Sequence, residues 1–396
     1  MPDQRLAQLY QYQEVLSKFR SPTMAAGVLE QFEEFWRDHY SWLKDCGYLL
    51  RPRYSPGWSA PWLTDGTGKF PIEFEESVTP NSAAVLDATR ISDGSYVMLK
   101  RCDPLKTSDF AGVIPEVEMF RTLSSEPLAS DPRNRCIRQI EILRPPQANS
   151  EEVLIVMPLL YLWKEFPFST IGEAVDFLTQ IFEGLQFMHN NNIWHGDCKY
   201  NSIMMDAIPI LRDFPHPWEA DKVRDFSREP RSPRSRTQHP VRYYWIDFDL
   251  SGVYDPSAGP PLVDTGYGGN RQVPEWAFPD QQCNPFAVDI WCLGHMIREQ
   301  FTEGFGLVGE DKIEGFEFLH KLVADMCNED PAQRPTIDDV VNRFSDIRTG
   351  LGQWKLRSRF TPTYKRPSVM EAIRSVRHWA RQFYFMARQL PAIPSP

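Results

Sequence analysis

Within five residues, His195-Gly196-Asp197-Cys198-Lys199, the chain sets an imidazole, a carboxylate and an ammonium. They lie in IWHGDCKYNSIMMD (193–206), where Asn201 and Ser202 follow. A second carboxylate, Asp247, ends a hydrophobic run in YYWIDFDLSG. A positioned carboxylate can accept a proton. An anionic oxygen also suits a hard cation such as Mg2+. Lys100 in YVMLK is, alone, an ordinary solvated lysine. Paired with a buried glutamate, Glu116 of EVEMFRTL or failing that Glu118, its ammonium would be fixed where an anion could meet it.

The elements that must position these groups are legible in outline. AAVLDATR and SYVMLKR flank ISDG and predict a hairpin. IPEVEMFRTL (114–123) predicts a helix, and EEVLIVMPLL a buried strand. IGEAVDFLTQIFEGLQFMHNN (171–191) carries one apolar stripe, while FAVDIWCLGHMIREQF (286–301) is apolar nearly all round and predicts a buried helix. TIDDVVNRF (336–344) starts with the spacing of a capped helix. Strands followed by helices predict an α+β arrangement of two lobes. The expected divisions are a helical extension over 1–75, a strand-rich lobe over 76–160, a helical lobe over 161–345 and a basic tail over 346–396.

Composition narrows the class. The chain has 396 residues, 42% hydrophobic and 24% charged, with net charge −10. That balance suits a soluble globular protein and argues against nucleic-acid binding by a wholly basic body. The seven cysteines are scattered and never spaced C-x-x-C, so neither a zinc site nor a disulfide framework is expected. No secretory signal is seen at the start, and the longest apolar run, VLIVMPLLYLW, is too short to span a bilayer. The expected location is intracellular, cytoplasmic or nuclear.

Taken in order, the motifs from about 76 to 345 resemble a eukaryotic protein-kinase catalytic domain. The discriminating set is VPEW (273–276), VDIWCLG (288–294) and PAQRPT (331–336), joined to the H-G-D and I-D-F-D stretches. The resemblance implies ATP and Mg2+ as cofactors. It implies Lys100 and Glu116 on the phosphates, Asp197 as base and Lys199 at the transferring phosphoryl group. Asp247 would hold the metal, with Ser202 or Asn201 beside it. Val85, Met98, Met157, Pro158 and Leu160 would line the nucleotide pocket, Asp289 would anchor the catalytic loop, and Arg334 would pair with Glu275. The whole chain is similar to kinase-like proteins of mushroom-forming fungi. H-G-D and I-D-F-D also resemble small-molecule phosphotransferases, which generally lack the VPEW, DIWCLG and PAQRPT set.

Several positions depart from the protein-kinase pattern. Val78, Pro80 and Ala83 stand where a glycine-rich loop is expected, and Pro80 lacks the N–H such a loop donates to phosphate. Ser202 stands where a metal-binding asparagine is expected. Asp249 replaces the glycine after Asp247-Phe248. Gly196 removes the arginine that meets a phosphorylated activation segment, so no such switch is expected. These departures leave a pseudokinase scaffold as the rival to a kinase of serine/threonine type; the serine/threonine reading rests on Lys199.

Two segments remain. An insertion at about 207–242 has an Arg/Ser/Pro-rich second half that predicts disorder. It could dock partners, with Ser227, Ser232, Ser235 and Thr237 as candidate phosphosites; the protein substrate is unknown. The basic tail predicts a helix that packs on the acidic body or, less simply, meets an anionic membrane or an acidic partner.

Overall fold

The computed structural model describes residues 27–104, 112–146, 151–266, 268–303, 313–361 and 369–395. The chain divides into two compact units. Residues 1–101, 141–159 and 213–231 form the first; residues 102–140, 160–212 and 232–396 form the second.

The first unit is built on a five-stranded sheet. Its strands are β1 (Tyr48–Leu49), β2 (Val85–Arg90), β3 (Tyr96–Cys102), β4 (Glu141–Leu143) and β5 (Val153–Pro158), hydrogen-bonded in the order β1-β2-β3-β5-β4. The expected hairpin is β2–β3, in which Leu86 faces Leu99 and Ala88 faces Val97. All four side chains are buried with Trp36, Tyr54, Leu154 and Val156. Alternation along these strands sends one face to the core and leaves the other to different partners.

The leading segment enters this unit as an edge strand. The helical spacing of Phe32, Phe35, Trp36, Tyr40 and Leu43 within 29–50 predicts one helix; the structure has two short ones, α1 (Glu34–Asp38) and α2 (Tyr40–Asp45). The break falls at His39, which leaves helical geometry at φ −100° and ψ 5° and bonds Phe35 O through Nδ1 at 2.7 Å. Gly47 then takes φ +95°, a conformation cheap for glycine. β1 follows and pairs with β2, Tyr48 opposite Arg90.

Ionic contacts lock the segment further. The Glu33 carboxylate accepts from Arg53 Nε and Nη2, both at 2.7 Å, and from Tyr54 Oη at 2.9 Å. Arg51 meets Glu75 at 3.0 Å and Asp87 at 3.3 Å.

The insertion does not behave as a solvated loop. Residues 213–231 belong to the first unit and contain a hairpin, Pro215–His216 against Glu219–Val223. Trp218 Nε1 donates to Asp87 at 2.9 Å, and Arg224 Nη2 reaches the other oxygen at 2.5 Å. The Arg/Ser/Pro-rich half is also partly buried: Arg236 donates to the carbonyls of Phe166 and Pro167. Thr237, proposed as a phosphosite, is 4% exposed. A sequence window sees arginines as solvated; here Arg224, Arg228 and Arg231 find carboxylates, and Arg234 and Arg236 find carbonyls.

The second unit carries α3 (Glu116–Ser124), α4 (Ile171–Asn190), α5 (Pro285–Ile297), α6 (His320–Met326), α7 (Ile337–Gly350), α8 (Gln353–Arg357) and α9 (Val369–Ala387). α4 is buried over most of its surface, not along one stripe. α5 is buried as its composition predicts and runs into a π-helical turn, Arg298–Thr302. Thr336 and Asp339 form the predicted capping box of α7. No helix among the described residues is long and apolar enough to cross a membrane.

Burial by itself would raise the Asp87 carboxyl pKa, but Arg51 and Arg224 outweigh it and hold the group below its usual value. A depressed carboxylate stabilises the fold above its unfolded pKa and loses that contribution as pH falls through the folded one. Asp87→Ala is expected to cost about 3–5 kcal/mol, since it removes the buried carboxylate shared by Arg51 and Arg224. Urea unfolding at neutral pH and below about pH 4 checks this. The acid-induced loss of stability should be shallower in the variant than in the wild type.

Candidate active site

In the second unit the candidate loop is held by its backbone. α4 leads into β7 (Ile193–Trp194), which precedes the loop; β8 (Ile203–Asp206) follows it and pairs with β6 (Tyr161–Leu162). β9 (Arg242–Trp245) pairs with β8, and β10 (Gly252–Val253) with β7. Asp289 of α5 is fully buried. It accepts from the N–H of His195 at 2.7 Å, from the N–H of Gly196 at 2.8 Å and from His189 Nε2 at 3.0 Å. Three donors on one buried carboxylate repay the cost of removing it from water.

The His195 ring is fixed too. Its Nδ1 accepts the Asp197 N–H at 3.2 Å, so its proton sits on Nε2 and is donated to Ile246 O at 3.1 Å. Burial lowers its pKa despite the opposing pull of Asp289, Asp197 and Asp247. The imidazole is therefore a neutral strut. Gly196 has φ +81°, and a Cβ there would lie 2.3 Å from Leu250 O. The glycine in place of arginine is thus demanded by the local backbone.

Asp197 is 5% exposed and its carboxylate meets Lys199 Nζ at 2.5 Å. Gly269 passes over this pair: a Cβ on it would come within 2.7 Å of both Asp197 Oδ1 and Lys199 Nζ. Sequence reasoning missed Gly269, although GYGG (266–269) is a visible cluster of small residues. Asp247 sits at φ +67°, a region L-residues enter rarely and hold mainly where surroundings impose it. Ser202 is 1% exposed, and its Oγ makes no hydrogen bond among the described residues. Its carbonyl accepts from Ile246 N–H at 3.0 Å, which keeps it one residue from Asp247. Asn201 is exposed.

Glu116 opens α3. Its Oε1 accepts from the Phe248 N–H at 3.2 Å, and Cys102 Sγ donates to Oε2 at 3.4 Å. Phe248 packs edge-on against Phe120, 5.4 Å between centroids. Glu118 instead faces outward and pairs with Arg121. Glu275 and Arg334 form a buried fork at 2.7 and 2.8 Å, and Arg334 also caps the carbonyls of Asn328 and Ala287. Leu160 is half-buried and belongs to this unit.

The remaining candidates belong to the first unit. Val85 lies opposite Lys100, and Met98 opposite Asp87. Directly opposed residues share a face, so Val85, Asp87, Met98 and Lys100 line one side of β2–β3. The outer end of that side is covered by the insertion: Trp218 and Arg224 hold Asp87, and Phe214 packs on Tyr96 at 5.1 Å. Met157 and Pro158 end β5. Val78 and Pro80 are buried, and the Val78 carbonyl accepts from Arg51 at 2.9 Å; Ala83 is exposed.

No protein-family profile matches the chain. It is similar to a protein of Acanthamoeba polyphaga mimivirus that carries, by inference, the name of a serine/threonine-protein kinase. The two are 24% identical over 191 residues, which is 44% of this chain and 57% of the viral protein. The chain thus spans little more than half the length of that relative. The likeness supports a kinase-like domain.

Gly196→Ala tests the backbone constraint. A β-carbon against a carbonyl at positive φ is expected to cost about 1–3 kcal/mol, read as a lowered denaturation midpoint. Asn201→Ala, altering an exposed side chain, should leave the midpoint unchanged.

Proposed function

We propose that the chain is an ATP-dependent protein kinase that transfers the γ-phosphate to a protein hydroxyl, of serine/threonine type. The observation that carries this reading is the Asp197–Lys199 pair at 2.5 Å on a loop whose amides are fixed by Asp289. Asp197 accepts the acceptor hydroxyl proton as that oxygen forms its bond to the γ-phosphorus. The bond from the γ-phosphorus to the bridging oxygen breaks, and ADP leaves. Lys199, released from Asp197 as the proton arrives, offsets charge on the phosphoryl oxygens. Lys100 and Glu116 are assigned to the α- and β-phosphates.

The residues at the metal position fit Mg2+. Asp247 offers a hard anionic oxygen, and the buried Ser202 Oγ lacks a partner among the described residues. Mg2+ characteristically takes few protein ligands and completes its shell with water and phosphate. When bound it would neutralise the phosphate oxygens.

A second reading, a scaffold with impaired catalysis, is favoured by a separate observation. Trp218 and Arg224 stand on Asp87, which is directly opposite Met98, and Val78 and Pro80 are packed in the unit interior. A base would have to share that face with the insertion.

Thermal unfolding with millimolar ATP, with and without Mg2+, separates the readings. Nucleotide at about 100 times its Kd stabilises the fold by roughly 2.7 kcal/mol. A Mg2+-dependent shift lost in Lys100→Ala is expected. Phosphotransfer to a protein acceptor should fall by about 10²–10⁴-fold in Asp197→Asn, with the thermal shift retained. Gly269→Val, on an exposed loop, should lower transfer by displacing the pair while leaving the unfolding temperature intact. Nucleotide binding without transfer in the wild type, or no binding at any concentration, overturns the kinase reading and leaves the scaffold.

A further inference from the structure

The helix α9 has two dissimilar faces. The inner one is anchored: His378 Nε2 donates to Arg357 O at 2.7 Å, Arg357 reaches Gln382 at 3.3 Å and Leu390 O at 2.6 Å, and Phe385 is buried. On the outer side Val369, Ile373, Val376, Ala380 and Phe383 recur at alternating steps of four and three, which brings them onto one stripe. Val369 is 79% exposed, Val376 71% and Phe383 55%. Trp354, itself 61% exposed, packs at a tilt on Trp379 and edge-on against Phe383, and extends the apolar patch beyond the helix. A patch of this kind on a soluble body signals a binding surface.

Charge indicates what covers it. The tail's other described cations are engaged within the unit: Lys355 with Glu317, Arg359 with Glu371. Arg377, Arg381 and Arg388 form an exposed flank along the stripe, with Arg374, partnered by Glu371, at its head. The helix's one acid, Glu371, is already shared between Arg359 and Arg374. Self-pairing of this face would set a one-signed flank against itself or against neutral residues, whereas paired helices favour opposite charges beside the seam. A flank of one sign beside an apolar stripe with aromatic residues suits an interface that is apolar within and anionic at its rim.

We propose that the outer face of α9, with Trp354, lies on an anionic lipid surface, the stripe entering the acyl boundary and the arginines meeting the headgroups. The helix rests along the surface and does not cross it. This inference is independent of phosphotransfer.

Cosedimentation of the full chain with vesicles tests it. Binding is expected to phosphatidylcholine vesicles containing phosphatidylserine, and much less to phosphatidylcholine alone. Raised salt should weaken it, because exposed charges are screened. Val376→Asp/Phe383→Asp and Arg377→Glu/Arg381→Glu/Arg388→Glu alter exposed side chains, and an unchanged unfolding temperature verifies the fold. Each is expected to reduce binding at least about tenfold. The proposal is overturned if the folded wild type ignores phosphatidylserine vesicles, or if both variants bind as it does. Equal binding to neutral vesicles overturns the anionic preference. Concentration-dependent self-association that Val376→Asp/Phe383→Asp abolishes, without vesicle binding, assigns the face to a second copy. Capture of acidic peptide without vesicle binding assigns it to a protein.

Discussion

The candidate site depends on one buried carboxylate. Asp289 gathers the amides of His195 and Gly196 and the ring of His189. Without those donors it would be an uncompensated charge; without it, three donors would be orphaned, so neither side relaxes cheaply. The consequence reaches Asp197. Its carbonyl and amide are committed to Lys199 and His195, which leaves the carboxylate as the part of the residue still able to react. The loop thus holds a carboxylate on a backbone that has little freedom left.

Other links extend the same logic through the second unit. The neutral imidazole of His195 joins the loop to Ile246, next to Asp247. Ser202 joins it again from the far end. Glu116 takes the next amide, that of Phe248. Charged groups that are to act together need such second contacts, because long side chains alone lose too much freedom to stay aligned.

Much of this was legible from spacing. The hairpin of β2–β3 and the helices α3, α4, α5 and α7 follow from patterns of period two and period 3.6, whereas the Glu275–Arg334 and Asp289 contacts are what the resemblance of the ordered motifs to a protein kinase implies. What escaped was set by contacts far apart in sequence. The extension reads as a helix because Phe32, Phe35, Trp36 and Leu43 have helical spacing. Its break at His39 and its use as a sheet edge arise from a local side-chain bond and from pairing with residues 89–90. The insertion reads as solvated because it is rich in arginine and proline, yet Arg224 and Trp218 answer a buried aspartate 131 or more residues earlier in the chain. Composition cannot reveal an acceptor held that far away. Gly269 was missed for the same reason: only the fold brings it over Asp197.

The hairpin that completes Asp87 also has a genetic consequence. Because residues 213–231 belong with residues before 160, the strand-rich unit is not a continuous gene segment. A fragment cut at the end of β5 would keep Asp87 and Arg51 but discard Arg224 and Trp218, so half of a buried ionic cluster would be missing. Recombination that exchanged the helical half of the coding sequence would likewise separate this carboxylate from its partners. Inheritance of the two units is therefore coupled: a change at position 87 is constrained by codons that lie beyond the candidate catalytic loop.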